Sequence, residues 1–385
     1  MTMERQTVVV GHFDVHGVAA TALAAKAFGA AEVYANYPQT SPENLVSTLQ
    51  NLYAASPSPL RIVIVDVPVD LKNPTAFVRG LEDLAARHEV IYIDHHESTV
   101  QFLPQFNRVR AIYAGPSALT LNELLLAQVP GAGEVDRTIA LVGAIGDRDP
   151  EVVRRGLLTQ ELQELADGLD VLVREKDGAL RVARDLLSMP AAILEQARVR
   201  AREIPMARLG QKIGPVAVAA GTLPEQWGPK ALEKMAFASG SWYAAGVSYV
   251  SRQNQWVVRC IQRWDIAARM PQLPTPGAVA KELWPTRNII GHPSAPSVAA
   301  TSEEEARAMA EQWARALADR ATFAASPRVT TLISETSVGE MLAEILQRLE
   351  QIITQQTEMY KEYLELKRRQ VELLERTSGT SRRYD

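Results

Sequence analysis

Histidines and aspartates cluster in this sequence in a way that suits metal binding. Five of the six histidines fall within three short segments, residues 12–16, 94–96 and 292, and two of these segments also contain aspartates. Imidazole with carboxylate ligands suits Mn²⁺, Fe²⁺ or Zn²⁺ more than Mg²⁺ alone, and several bridging carboxylates suit two metals roughly 3.5–4 Å apart. Two such metals activate water and stabilise the oxygens of an in-line phosphoryl displacement. Phosphoester hydrolysis is therefore the first hypothesis.

The elements that must position these residues alternate along the first half of the chain. The predicted strands are residues 7–10, 61–66 and 89–94, and the predicted helices are residues 18–28, 75–87 and 117–126. This rhythm is typical of α/β proteins with a doubly wound, mainly parallel sheet. Residues 12–17 form the expected loop after the first strand, and an apolar segment at 138–145 leads to Asp147. Because ligands in such sheets bind outside the carboxyl ends of the strands, we expect these polar residues to converge on one cleft.

Composition and charge exclude several classes of protein. With 385 residues, 46% hydrophobic and 22% charged, the chain is long enough for two globular domains and an appendage. Forty-one Lys and Arg against 45 Asp and Glu give a net charge of −4, which argues against a protein that coats long nucleic acid. The single cysteine, Cys260, excludes a disulfide framework, so a cytoplasmic location is expected. No stretch has the length and apolarity of a signal peptide or membrane span.

The rest of the chain changes character twice. After a helical stretch at 150–208, strand-like segments predict a second, smaller α/β domain. From Leu342 to Leu373 apolar residues recur at heptad spacing, which predicts a coiled coil and, through it, a homo-oligomer. A single amphipathic helix packed on the body is the alternative. The predicted organisation is a first domain at 1–190, a helical linker at 191–210, a second domain at 211–325, a coiled coil at 336–377 and a disordered tail at 378–385.

Four motifs in the first 150 residues resemble those of the DHH phosphoesterase superfamily. Asp94-His95-His96 after a hydrophobic strand is similar to its signature, HFDVHG at 12–17 resembles its first motif, IVD at 64–66 its second and GAIGD at 143–147 its fourth. The superfamily includes RecJ-like exonucleases, oligoribonucleases, cyclic-dinucleotide phosphodiesterases and manganese pyrophosphatases. The resemblance implies a DHH catalytic domain in the first half of the chain, followed by a DHH-associated substrate-binding domain.

The resemblance also implies two metal-binding positions for Mn²⁺, with Mg²⁺ as the other candidate ion. One metal would be held by His12, Asp14 and Asp66, and the other by His16, Asp66, His95 and Asp147. Asp66 would bridge the two. Asp94 would orient the neighbouring imidazoles, and His96 would face the scissile phosphate. Asp149 is a rival ligand, although its position before a proline equally predicts a helix cap.

Substrate contacts are expected from both domains. Gly291 and His292 resemble the glycine- and histidine-containing stretch of the DHH-associated domain, in which the histidine would bind phosphate, although Ile290 replaces one glycine of that pattern. Arg148, beside Asp147, is a further candidate for phosphate binding, or else a solvated arginine. Tryptophans and arginines are interspersed in the second domain, which suits either base stacking or an ordinary core.

One departure from the superfamily pattern separates two functional hypotheses. His16 stands where the superfamily usually has aspartate, which removes a negative charge from the site. The leading hypothesis is a metal-dependent phosphodiesterase or exonuclease that acts on short single-stranded oligonucleotides or small, including cyclic di-, nucleotides. The alternative is a catalytically altered DHH scaffold that serves as an oligomeric nucleotide-binding sensor or structural subunit. Mn²⁺-dependent hydrolysis of a phosphodiester discriminates between them.

Overall fold

A five-stranded parallel sheet underlies the first part of the chain. The structure is a computed structural model that describes residues 6–30, 32–36, 42–53, 56, 58–69 and 73–325. The strands of this sheet are β1 (Thr7–His12), β2 (Glu32–Asn36), β3 (Arg61–Val65), β4 (Glu89–Asp94) and β5 (Arg110–Tyr113). Their order is β2-β1-β3-β4-β5, and every neighbouring pair runs parallel. The predicted doubly wound, parallel sheet is therefore confirmed.

Helices cover both faces of this sheet. They are α1 (Val15–Phe28), α2 (Pro42–Tyr53), α3 (Pro74–Ala85), α4 (Glu97–Val100), α5 (Ala118–Leu126), α6 (Glu134–Gly146), α7 (Pro150–Arg154), α8 (Gln160–Arg174), α9 (Gly178–Ser188) and α10 (Pro190–Glu203), with a 3-10 turn at Leu103–Gln105. Alternate residues of each strand face opposite ways, as the pleat requires. Val63 and Val65 pack with α1, α5, α6 and α8, whereas Ile62 and Ile64 pack with α2 and α3.

Two segments near the predicted site differ from the expectation. Residues 14–16 are not an extended loop, because α1 begins at Val15 and the Asp14 carboxylate caps it by accepting a hydrogen bond from the Gly17 amide. The predicted start of this helix at residue 18 was therefore too late. Residues 138–145 lie inside α6, so Asp147 follows the end of a helix rather than the end of a strand.

A six-stranded sheet follows. Its strands are β6 (Leu209–Ile213), β7 (Val216–Leu223), β8 (Tyr243–Val250), β9 (Gln255–Gln262), β10 (Ile289–His292) and β11 (Ala295–Ala300), in the order β10-β11-β9-β8-β7-β6. β7 and β8 pair in parallel, and the other neighbouring pairs are antiparallel. The helices of this part are α11 (Gly228–Ala238), α12 (Trp264–Arg269), α13 (Pro276–Leu283) and α14 (Glu303–Ala324), and a 3-10 turn lies at Ser251–Gln253.

The chain divides into two compact units, Met1–Ala321 and Thr322–Asp385, and both sheets belong to the first. The predicted coiled coil at 336–377 and the predicted tail at 378–385 lie outside the described residues. Within the described part of the chain, no helix is both long enough and apolar enough to cross a membrane. The domain boundaries proposed from the sequence, and oligomerisation through the coiled coil, stay predictions.

Candidate metal centre

Asp66, directly after β3, lies between two of the predicted histidine ligands. Its side chain is buried and its backbone is left-handed, with a φ of 58°, a conformation that Asp tolerates better than most non-glycine residues. Oδ1 lies 3.0 Å from His95 Nε2, and Oδ2 lies 3.0 Å from His16 Nδ1. Burial acts to raise the pKa of Asp66, but the charges and close contacts of the two imidazoles outweigh it and hold that pKa well below its ordinary value. Asp66 thus presents one carboxylate oxygen to each imidazole.

His16 is the most deeply buried of the predicted histidine ligands. It lies in the first turn of α1 and is 1% exposed. In the part of the chain that the structure describes, neither ring nitrogen has a hydrogen-bond partner, since the close contact with Asp66 lacks hydrogen-bond geometry. Burial lowers the pKa of His16, but the carboxylate of Asp66 outweighs burial and raises that pKa to about 10. A buried polar group without a partner is costly, and a coordinated cation would satisfy this one.

The first predicted ligand group contains His12 and Asp14, which lie where β1 leads into α1, together with Asp66. His12 Nδ1 lies 2.7 Å from Asp14 Oδ2, and ligand atoms of His12, Asp14 and Asp66 all lie within 4.8 Å of one another. Gly17 allows this turn to be tight, because a Cβ there would lie 2.5 Å from the His12 carbonyl oxygen. The Asp14 side chain remains 41% exposed, so the group opens to solvent.

The second predicted group combines three elements. Ligand atoms of His16, His95 and Asp147 lie within 4.8 Å of one another, and Asp66, His95 and His96 form a further group by the same measure. Asp147 Oδ2 lies 3.9 Å from His95 Nε2. Burial raises the pKa of Asp147, which is the effect that a bound cation would oppose. The structure thus brings all six predicted ligands into one cluster; their role in holding metal stays a prediction.

Asp94 and His96 form a hydrogen-bonded pair beside this cluster. Asp94 is fully buried, and its Oδ1 lies 2.8 Å from His96 Nδ1. Its other oxygen accepts a 2.5 Å hydrogen bond from Thr99 Oγ1 and a 3.4 Å hydrogen bond from the Tyr92 hydroxyl. Thr99 and Tyr92 were not predicted as site residues from the sequence, in which the available signal was a hydroxyl five residues after Asp94 in the short helix α4. Thr99 is therefore the main donor that holds the carboxylate beside His96, because the Tyr92 hydroxyl donates at 2.6 Å to the Val67 carbonyl.

The remaining predicted residues lie around the cluster rather than in it. Asp149 is no free ligand, because its carboxylate accepts hydrogen bonds from Ser117 Oγ and from the Leu119 and Glu151 amides, and it caps α7. Arg148 has a left-handed backbone with a φ of 58°, and its guanidinium lies 3.5 Å from a Glu233 carboxylate oxygen on α11.

The Gly291–His292 segment belongs to the second sheet. Both residues lie in β10, where Gly291 pairs with Pro296 and His292 pairs with Ala295 of β11. The stretch is therefore one side of a β-hairpin, and the ligand groups found among the described side chains come from the first half of the chain.

Comparisons with known proteins give matches among solved structures. No family model and no curated protein matches this chain. It is similar to the pGpG-specific phosphodiesterase PggH from Vibrio cholerae, with 13% identity, coverage of 82% of this chain and 100% of that one, and a TM-score of 0.49. It is also similar to the DHH domain of a member of a family of ribosomal proteins, with 13% identity, 82% and 86% coverage and a TM-score of 0.42.

A third match is exonuclease RecJ bound to manganese, with 18% identity, coverage of 82% of this chain and 90% of that one, and a TM-score of 0.37. Proteins with a DHH domain are thus among the structures that this chain resembles. The neighbours include a phosphodiesterase and an exonuclease.

Proposed function

We propose that this chain is a metal-dependent phosphodiester hydrolase of the DHH phosphoesterase superfamily, acting on short single-stranded oligonucleotides or small (cyclic di-)nucleotides. The observation that carries the proposal is the pair of ligand groups that meet at Asp66, each combining imidazole with carboxylate. Such mixed donors suit Mn²⁺, and a shared carboxylate suits two ions held close together. The unpartnered nitrogens of buried His16 give independent support, because a ligand role supplies the partner they lack.

The proposed ligand sets follow the geometry. His12, Asp14 and Asp66 would hold one Mn²⁺ ion, and His16, His95 and Asp147 together with Asp66 would hold the other. When bound, the ions supply a water of lowered pKa as nucleophile and offset the charge of the phosphate. The protein's own contribution is to hold these side chains on different elements of the fold, so that they meet without rearrangement.

His96 is the residue proposed to meet the scissile phosphate. Its side chain is 34% exposed, so a substrate can reach it, while its partner Asp94 is fully buried. Burial lowers the pKa of His96, but the hydrogen bond and charge of Asp94 outweigh burial and raise that pKa. In the charged ring Nδ1–H donates to Asp94 and Nε2–H can donate to a phosphate oxygen. Arg148, Gly291 and His292 are proposed to contact the rest of the substrate.

Hydrolysis of a substrate panel tests the proposal. The full-length protein is assayed with Mn²⁺, and separately with chelator, on dinucleotides, cyclic dinucleotides and labelled oligomers. We expect Mn²⁺-dependent cleavage of at least one substrate, and a loss on the order of 100-fold or more in Asp66→Asn because this carboxylate contacts both ligand groups. Asp83→Asn, an exposed carboxylate on α3, is the matched control and should behave like the parent. A parent that binds Mn²⁺ but cleaves nothing in the panel supports the nucleotide-binding scaffold instead.

A further inference from the structure

A cleft of about 620 Å³ adjoins the proposed metal centre and is separate from its ligands. Val15, Gly146 and Arg148 line it, and they are the chain neighbours of His16 and Asp147. Its other walls are α8, the C-terminal end of α10 and the N-terminal half of α11. A volume of this size lies within the range of small-molecule sites, roughly 300–1,000 Å³. The cleft is therefore a candidate site for a group that neighbours a phosphate held at the metal centre.

The charges that line the cleft disfavour the binding of a second phosphate, in addition to the one at the metal centre. Its lining carries four cationic side chains and five carboxylates. The cations lie near carboxylates in four contacts: Arg148–Glu233 at 3.5 Å, Arg174–Asp170 at 2.9 Å, Arg200–Glu175 at 2.9 Å and Lys230–Asp167 at 2.8 Å. A phosphate placed here would meet no unpaired cation among the described lining residues, and it would face a net negative wall. An uncharged group with hydrogen-bonding edges fits this environment better.

Trp227 supplies an aromatic surface for such a group. It lines the cleft, is partly exposed, and its indole N–H has no hydrogen-bond partner among the described residues. Three other tryptophans in the second half of the chain have structural partners. Trp264 donates to Gln163 and Trp313 donates to the Pro276 carbonyl, whereas Trp256 packs on the ring of Tyr249.

We infer that this cleft binds a nucleoside of the substrate, with its base stacked on the Trp227 indole. The inference rests on the proposed function and narrows it: the substrates are nucleotides, and inorganic phosphate compounds are poor substrates. Stacking on an aromatic side chain accepts any base, because every base presents a π face. Trp227 thus selects substrates that carry a base, while hydrolysis takes place at the metal centre.

The experiment compares matched substrates with and without a base. Parent, Trp227→Ala and Trp227→Phe are assayed with Mn²⁺ on the dinucleotide pApA and on its two analogues in which one adenosine is replaced by an abasic ribose. We expect the parent to prefer pApA over one abasic analogue by roughly 5- to 150-fold in kcat/KM, chiefly through KM. Trp227→Ala should lose this preference and Trp227→Phe should keep part of it. Trp256→Ala is the matched control, because Trp256 lies in β9 and does not line the cleft; this variant should keep the preference fully.

Two results would overturn the inference. In one, the parent shows no preference for the base; in the other, Trp227→Ala slows all three substrates equally, which is the signature of a structural role. A binding measurement separates this failure from failure of the proposed function, because it needs no turnover. AMP should quench the tryptophan fluorescence of the parent but not of Trp227→Phe, and ribose 5-phosphate should quench neither. Quenching without hydrolysis would support the nucleoside site and contradict the proposed hydrolase function. Hydrolysis without base preference would support the hydrolase function and contradict the nucleoside site.

Discussion

His16 offers the sharpest test of the metal centre, because a proton and a metal ion compete for the same buried ring. In the metal-free chain the pKa of His16 is raised to about 10 by the Asp66 carboxylate 3.0 Å away, against an ordinary value of 6.5. At pH 7 the imidazole is three pH units below this pKa, so the neutral form is roughly a thousandfold rarer than the charged form. An ion that binds through His16 must therefore displace a proton.

As the pH rises from 6.5 to 8.5, the apparent Kd of the parent for Mn²⁺ should accordingly decrease. For each pH unit, this decrease should be about tenfold larger in the parent than in His16→Asp. Aspartate at this position removes the competition from the imidazole proton and also adds a negative charge, so the comparison uses the pH slope of the Kd and not its absolute value. His16→Asp should also keep or raise Mn²⁺-dependent hydrolysis, whereas His16→Ala should depress it. Equilibrium dialysis of Mn²⁺ at pH 6.5, 7.5 and 8.5 measures the slope. Equal slopes in parent and His16→Asp would show that His16 is not a ligand.

The same pair predicts opposite pH trends for stability with and without metal. The folded pKa of His16 lies above the unfolded value, so its ion pair with Asp66 stabilises the metal-free fold fully below pH 6.5. That stabilisation is lost as the pH rises towards 10. The metal-loaded protein should instead become more stable as the pH rises from 6.5 towards 10. The reason is that His16 then loses its proton more readily, so the metal ion binds more tightly. His88→Asn is the control: His88 Nδ1 accepts from the Leu60 amide, a contact that asparagine can replace, and both trends should persist.

Three further predictions address other parts of the molecule. Asp66→Ala should lose both metal equivalents, measured by elemental analysis after dialysis, and an unchanged metal content would contradict the two-metal site. Thr99→Val removes the 2.5 Å donor to Asp94 and should lower kcat by roughly 10- to 100-fold with KM unchanged, while Thr99→Ser restores it; equal impairment of both variants would assign Thr99 a packing role. Deleting residues 336–385 should lower the mass measured by light scattering, and an unchanged mass would mean that this predicted coiled coil does not join subunits.

The central strands could be predicted from the sequence because burial on both faces leaves a run of β-branched residues. The strand predicted at 89–94 coincides with β4, and that at 61–66 extends one residue past β3. Edge strands β2 and β5 were missed, since each has only one neighbour and carries tyrosine and polar residues among its apolar ones. Short apolar runs do not distinguish a strand from a helix, which is why the segment before Asp147 was not recognised as part of α6.

The order of the site motifs predicted which residues would meet, but not how their side chains would be supported. Asp14 was assigned as a ligand, and its additional role as the cap of α1 was visible only in the fold, although an aspartate before an alanine-rich run is a helix-start signal. Thr99 and Tyr92 reach Asp94 through tertiary packing, which no spacing rule describes. Trp227 was one of several equivalent tryptophans until the structure placed it against a cleft.

The burial of His16 also bears on the choice between the two functional hypotheses. A scaffold that had lost catalysis would have no use for an imidazole that is 1% exposed and finds no hydrogen-bond partner among the described residues. The ion pair between His16 Nδ1 and Asp66 offsets part of the cost of burying the ring, but Nε2 has no such partner, and leaving a buried polar group unsatisfied costs about 1–3 kcal/mol. An apolar residue would fill the same space in α1 without that cost. A cation at this position offsets the cost directly, because it supplies the missing partner and keeps the ring neutral beside Asp66. The buried imidazole at this position therefore supports the proposed ligand role of His16, which the Mn²⁺ titration described above tests.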